Sequence, residues 1–308
     1  MVRPDKVIKK IKNSLAYVLV RGALWWACGV SRKSALNLGK CLGLWAYFAI
    51  PRERKKVQEG LWTAFGQTMG AASLGRLARQ VYVDLGKNAI EAMRLRVTSK
   101  QELQRLVKAE GLDRVDRALA RGNGLIFLTG HLGCWELDGA YVASLGYPLH
   151  VIAKPLRDSR LDRLLVETRQ RTGVRNIARG QNTRDILRAL RRKEAVAILI
   201  DQDTKVDGVF VDFFGRPAYT PSGAVVLAMR TGAPIVPITI HREPDDSHHV
   251  QVDPEITLVE TGNAQQDRRA NTQRCMDALE RRIREHPSQW VWMHERWKTK
   301  PAGERKHP

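Results

Sequence analysis

The stretch Gly122-Asn123-Gly124-Leu125-Ile126-Phe127-Leu128-Thr129-Gly130-His131-Leu132-Gly133-Cys134-Trp135-Glu136 decides how this chain is read. The apolar run over 125–129, bounded by glycines, predicts a buried strand. The residues after it, roughly 134–145, predict a helix. His131 then stands at the carboxyl end of a strand, where open α/β sheets bind their ligands. Five residues of one helix turn through about 500°, which would set His131 and Glu136 roughly 140° apart. They can pair only with His131 on the loop and Glu136 in the first helical turn, and Gly130 and Gly133 supply the backbone freedom for such a corner. A His-x-x-x-x-Glu spacing is common by chance. Its place at a strand end makes it a candidate catalytic pair, in which Glu136 orients the imidazole and His131 acts as a general base near neutral pH.

Reading outward towards the carboxyl terminus, strand and helix alternate. Strands are expected at 150–153, 176–178, 195–200, 234–241 and 249–252, and helices at 158–172, 182–192, 221–231 and 265–286. This pattern implies a mostly parallel sheet covered by helices. Asp158 before Ser159, and Thr220 before Pro221, read as helix N-caps. Three polar segments fall at the same rim as His131: Lys154-Pro155-Leu156-Arg157, Arg179-Gly180-Gln181-Asn182 and Asp201-Gln202-Asp203. Lys154, Arg157 and Arg179 suit phosphate or carboxylate groups, or else simple solvation. Asp201 and Asp203 suit orientation of neighbouring basic groups better than a metal ion. Phe210, Phe213 and Phe214 read equally as core or as the wall of an acyl groove. The helix begun by Thr220 could hold an anion at its free N–H groups, an ordinary cap being the simpler reading.

Towards the amino terminus, basic residues 3–12 precede an apolar stretch at 15–30, interrupted by Arg21, and a second at 36–50, interrupted by Lys40. Each falls short of a confident spanning helix, which needs about 20 clean residues. Trp25, Trp26 and Trp45 with flanking cations have the look of an interfacial anchor. Trp25-Trp26-Ala27-Cys28 also resembles a lipoprotein cleavage site, but Arg21 and the two tryptophans argue against processing. Residues 54–118 read as helical.

The 308 residues carry 52 Lys+Arg against 32 Asp+Glu, a formal charge of +20, which suits an anionic partner. The basic segments are not interleaved with exposed aromatics as nucleic-acid binding requires, so an acidic membrane surface is the better fit. Four scattered cysteines (Cys28, Cys41, Cys134, Cys275) form no C-x-x-C pair, which points to reduced thiols. Cys134, although close to His131, reads as core. There is no G-x-S-x-G elbow, P-loop or G-x-G-x-x-G, so serine hydrolysis and nucleotide-dependent chemistry lack support. No metal and no cofactor are expected.

With these residues assembled, the chain resembles the bacterial lipid A late acyltransferases, the lauroyl/myristoyl type of the lysophospholipid acyltransferase superfamily. The likeness runs through Pro51-Arg52-Glu53-Arg54, the 130–136 segment, Lys154-Pro155-Leu156-Arg157, Asp201-Gln202-Asp203, Phe213-Phe214-Gly215-Arg216-Pro217, Gly232-Ala233-Pro234-Ile235-Val236-Pro237 and Gln289-Trp290-Val291-Trp292-Met293-His294-Glu295-Arg296-Trp297-Lys298. It implies an α/β fold of the glycerolphosphate-acyltransferase type, with a mostly parallel central sheet flanked by helices and an N-terminal helical membrane anchor. The expected division is an anchor over 1–53 and a catalytic domain over 54–308, the latter made of a helical cover (54–118), an α/β core (119–298) and a basic tail (299–308). The resemblance assigns His131 and Glu136 to the family's His-x-x-x-x-acidic pair, and maps Lys154 and Arg179 onto its basic strand-end positions and Asp201 and Asp203 onto its acidic loop. With Arg157, Gln202, Phe213, Phe214 and Thr220, read from the residues themselves, these make up the expected substrate-binding set. It implies acyl carrier protein as donor, an anionic lipid hydroxyl as acceptor, no nucleic acid, and a place on the cytoplasmic face of the inner membrane. Lys154 stands where the family has arginine before the proline, and Ser159 where it has asparagine. The lysine keeps the charge but loses the two-pronged hydrogen-bonding geometry.

Overall fold

The computed structural model describes residues 4–178, 183–301 and 303. Five helices come first: α1 (Pro4–Gly29), α2 (Arg32–Ala49), α3 (Pro51–Phe65), α4 (Ala71–Arg94) and α5 (Lys100–Leu106). Then follow β1 (Val107–Glu110), α6 (Leu112–Ala120), β2 (Leu125–Thr129), α7 (Trp135–Ser144), β3 (Leu149–Ala153), α8 (Ser159–Arg171), β4 (Arg175–Ala178), α9 (Thr183–Arg191) and β5 (Ala195–Leu199). The chain continues through β6 (Gly208–Phe213), β7 (Arg216–Pro221), α10 (Gly223–Thr231), β8 (Ile235–Arg242), β9 (His248–Val252) and α11 (Ala264–Glu285). A single turn over Pro287–Gln289 leads into the carboxyl-terminal segment.

Seven strands form one sheet in the order β1-β9-β8-β2-β5-β3-β4. The run β8-β2-β5-β3-β4 is parallel, and β9 returns antiparallel to β8. The α/β fold with a mostly parallel sheet is therefore as expected. All five residues of β2 are buried, as strands covered on both faces require. Its neighbour β5 pairs in a register that sets Thr129 beside Leu199.

The strands and helices expected from 125 to 200 and from 234 to 286 all form, within a few residues. Three details differ. The stretch read as helical throughout contains β1, a four-residue edge strand too short to show alternation, which pairs with β9. The loop after Asp203 contains the β6–β7 hairpin, closed by Phe214 and Gly215, both with positive φ (54° and 71°), the two-residue turn geometry that hairpin twist favours. Thr220-Pro221 ends β7 and does not cap the next helix, which starts at Gly223 with Ser222 in the cap position.

Helices α2 and α4 pack so closely that a Cβ on Gly43 would overlap the Tyr82 carbonyl, and one on Gly86 the Gly39 carbonyl. Glu91 on α4 ties this layer to the sheet by receiving Arg242 (2.6 Å), His248 (2.8 Å) and Arg32. Burial alone would raise the Glu91 carboxyl, but these three partners hold it at about 2. Among the described residues no helix is long and apolar enough to cross a membrane.

Candidate active site

The parallel register of β2 and β5, which sets Thr129 beside Leu199, carries two residues further to bring His131 beside Asp201. His131 Nδ1 lies 2.9 Å from Asp201 Oδ1, and the His131 backbone N–H donates to Asp201 Oδ2 at 2.7 Å. Trp290 Nε1 donates to the same Oδ2 at 2.8 Å. Gly130 makes this approach possible, because a Cβ there would stand 3.1 Å from Asp201 Oδ2. The loop is held from the other side, where Leu132 bridges to Trp290, Gly133 N donates to the Gln289 carbonyl and Val291 N donates to the His131 carbonyl. Gly133, at φ 58°, sits against the Ile240 carbonyl, where a side chain would collide.

Asp201 is 1% exposed. Burial alone would push its carboxyl up, but the charge of His131, both His131 donors and the Trp290 indole hold it well below the usual carboxylate range. An ionised Asp201 accepts Nδ1–H and leaves His131 Nε2 unprotonated. The Gln202 amide nitrogen lies 3.0 Å from that Nε2 and also touches His294. Burial, and the proximity of His131, lower the pKa of His294, so it stands as a neutral imidazole at neutral pH. Trp135 packs edge-on against the His131 ring at 5.1 Å.

Glu136 does not orient His131. It stands in the first turn of α7, as expected, but both its oxygens are engaged by Arg169 of α8, at 2.6 and 2.9 Å, and Arg169 also reaches Asn176 at 2.7 Å. The backbone N–H of His131 meets Asp201 just past the end of β5, and the carboxylate that meets the imidazole comes from 70 residues on, not five.

A cavity of 1110 Å³ opens at these groups. His131, Glu136, Arg169, Gln202, Asp203 and His294 line its polar mouth, with Lys154, Arg157 and Lys298 among the lining cations. Lys154 and Arg157 are exposed, and neither forms an ion pair among the described residues. Inward, the walls become apolar with Phe127, Val142, Leu149, Val151, Val174 and Ala197. Gly139 opens space in this depth, since a Cβ there would meet only Val174 and Leu149 at ordinary contact distance, 3.7 and 3.8 Å. Asp138 also lines this depth; it is 4% exposed, its Oδ1 lacks a partner, and burial pushes its carboxyl up to about 7. Among the described residues, none of the first 120 lines the cavity.

Of the residues read as substrate-binding, Lys154, Arg157, Gln202 and Asp203 line this cavity, Asp203 being fixed by Thr299. Asp201 takes a different part, as the partner of His131. Arg179 lies outside the described residues. Phe213 and Phe214 are core: they are 0% and 6% exposed and pack on Trp290, Trp292 and Trp297 with Arg296 and Arg284 over their faces. Thr220 is fully buried under Arg296, which donates to its hydroxyl at 2.5 Å and to the Tyr219 carbonyl at 2.6 Å. Cys134 is core as expected, its thiol pushed far up by burial. The sequence reading passed over Asp138, Arg169, Trp290 and His294. Only the last two carried a signal, as part of the aromatic segment from 289 to 298.

The family model for bacterial lipid A biosynthesis acyltransferases matches residues 6–299. The chain belongs to this family. It is therefore an acyltransferase. It is 27% identical over 286 residues to the lipid A biosynthesis palmitoleoyltransferase of Escherichia coli, covering 92% of this chain and 91% of that protein. Against a lipid A biosynthesis acyltransferase of Haemophilus influenzae the identity is 26% over 271 residues, covering 85% and 81%. Against a phosphatidylinositol mannoside acyltransferase of Mycobacterium tuberculosis it is 28% over 229 residues, covering 73% and 68%.

Proposed function

We propose that this acyltransferase moves a fatty acyl chain from the thioester of acyl carrier protein to a hydroxyl of a lipid A precursor, without a covalent enzyme intermediate. The observation that carries the reading is His131 at the mouth of an apolar cavity, with its Nδ1 on a buried carboxylate and its Nε2 unprotonated, within reach of the Gln202 amide. His131 Nε2 takes the proton of the acceptor hydroxyl as the oxygen attacks the thioester carbonyl. Asp201 holds the tautomer and stabilises the imidazolium that forms. Collapse of the tetrahedral intermediate expels the thiolate of the donor, which takes the proton from the His131 imidazolium and restores the base. Glu136 acts through Arg169, bracing α8 against α7 at the cavity wall. The acyl chain lies along Phe127, Val142 and Leu149, and Lys154, Arg157 and Lys298 receive the anionic groups of the acceptor.

Membrane attachment is part of this reading, with the helices lying on the surface and not spanning it. Leu15, Val18, Leu19 and Trp25 of α1 and Trp45 and Phe48 of α2 are 58–79% exposed, an apolar load that a bilayer interface covers. The excess of basic residues favours the anionic cytoplasmic leaflet of the inner membrane and an acidic carrier protein alike. Acceptors such as another glycolipid are the second reading, favoured by the similarity to the phosphatidylinositol mannoside acyltransferase. Incubating the protein with acyl carrier protein bearing a labelled acyl group and each lipid separately tests both. Label in the lipid A precursor is expected; label only in the other glycolipid moves the assignment, and label in neither refutes it. Co-sedimentation with anionic vesicles tests the anchor, and Trp25→Glu with Trp45→Glu is expected to release the protein.

A further inference from the structure

We propose that the β8–β9 hairpin carries a zinc site, built from His241, Glu243 and His249, separate from the acyl-transfer centre. The three donors come together through strand geometry. His241 and Glu243 are two residues apart and so project from one face. His249 is the cross-strand partner of His241 in the antiparallel register. The pairing continues past the strand end, where Glu243 N donates to the Ser247 carbonyl, and this keeps Glu243 in line. One ligand atom from each residue lies within 4.8 Å of the other two. His241 Nε2 is already 3.1 Å from Glu243 Oε1, and the His241 and His249 rings are stacked 5.2 Å apart at 14°.

The chemistry of the set fits zinc. Two imidazoles and a carboxylate form an N/O donor group that Zn²⁺ accepts, with further positions left for water. His286 also stacks on His241, at 3.7 Å and 15°, and keeps that ring in place. Glu110 lies 3.8 Å from His249 Nε2, close enough to take up charge when the ion binds. The opposite face of the same hairpin is committed elsewhere, Arg242 and His248 being buried on Glu91.

The site lies beside the segment that holds the catalytic loop. His286 ends α11, and within four residues the chain reaches Trp290, the donor to Asp201. The Gln289 side chain pairs with both backbone groups of Arg242, next to His241. A metal ion here would brace the hairpin against which that segment is seated.

The test uses the full chain without a histidine tag, stripped with EDTA and titrated with ZnCl₂ against a chromophoric chelator. One equivalent is expected to bind with a Kd in the micromolar range or tighter. His249→Gln and Glu243→Gln are each expected to weaken it at least tenfold while keeping the far-ultraviolet circular dichroism of the parent. His131→Ala is expected to bind zinc as the parent does. Failure of the parent chain to bind, or binding that survives His249→Gln and Glu243→Gln, overturns the proposal. So does an equivalent that vanishes in His131→Ala, which would place the ion at the acyl-transfer centre. Melting followed with and without zinc is the second readout: the parent should be raised, and His249→Gln should not.

Discussion

Replacing Asp201 by asparagine separates the two carboxylates near His131 as candidates for the one that supports it. Asp201 accepts three hydrogen bonds, two on Oδ2 (His131 N and Trp290 Nε1) and one on Oδ1 (His131 Nδ1). Asparagine has one carbonyl oxygen. Two donors converge on the Oδ2 position, so the oxygen settles there and the amide NH₂ faces Nδ1. That NH₂ can only donate, which forces the proton of His131 onto Nε2, the atom proposed to act as base. Loss of a general base costs about 10² to 10⁴ in rate, or about 3–5 kcal/mol of barrier at roughly 1.4 kcal/mol per factor of ten. The assay is turnover of labelled acyl carrier protein thioester with the lipid acceptor, for Asp201→Asn, Glu136→Gln and His131→Ala, with melting as the control for folding. Asp201→Asn is expected to fall with His131→Ala by at least a hundredfold. Glu136→Gln keeps a hydrogen bond to Arg169 and is expected to stay within about tenfold of the parent. The reverse order, with Glu136→Gln inactive and Asp201→Asn near the parent rate, would refute the assignment of the supporting carboxylate.

Three further outcomes follow from the same geometry. Asp138 has its carboxyl raised from 3.8 to about 7 by burial, so the folded state resists its ionisation and stability falls as pH rises from about 4 through 7. The deficit reaches at most about 4 kcal/mol above pH 7. Asp138→Asn is therefore expected to resist urea better than the parent at pH 8, with the gap closing near pH 4; a gap that ignores pH refutes this account. Gly139→Leu fills the apolar depth beside Val174 and Leu149 and is expected to shift the preferred donor to shorter acyl chains, at about 0.8 kcal/mol per methylene excluded, read by competition between donors of different length; an unchanged preference places the chain elsewhere. Maleimide on the native protein is expected to label exposed Cys41 and to spare Cys134 and Cys275, both buried with thiols pushed up, without loss of turnover. Mass spectrometry finding the label on Cys134 would show that the base of the catalytic loop is open.

Local chemistry made much of this molecule readable in one dimension. The run from Leu125 to Thr129 can only be covered on both sides, and Asp158 caps α8 by accepting from Arg160 N as its type and position suggest. Features of this kind depend on neighbours within a few residues, so alternating strand and helix, the parallel sheet and the place of His131 at its rim all follow from the order of amino acids. The partner of His131 does not. Glu136 is near in sequence, yet Asp201 is the carboxylate that reaches the ring, because the register of β2 against β5 sets residue 131 beside 201 while Arg169 claims Glu136 from another helix. Phe213, Phe214 and Thr220 carry types that suit a groove or a cap as well as a core, and only the packing of Trp290, Trp292 and Arg296 commits them to the interior. The three donors on the β8–β9 hairpin are equally silent as a motif, since His241 meets His249 only through antiparallel pairing. Sequence order determined which elements form and which residues are chemically able; strand register and ion pairing between distant segments decided which of them meet, because those choices rest on contacts no local window contains.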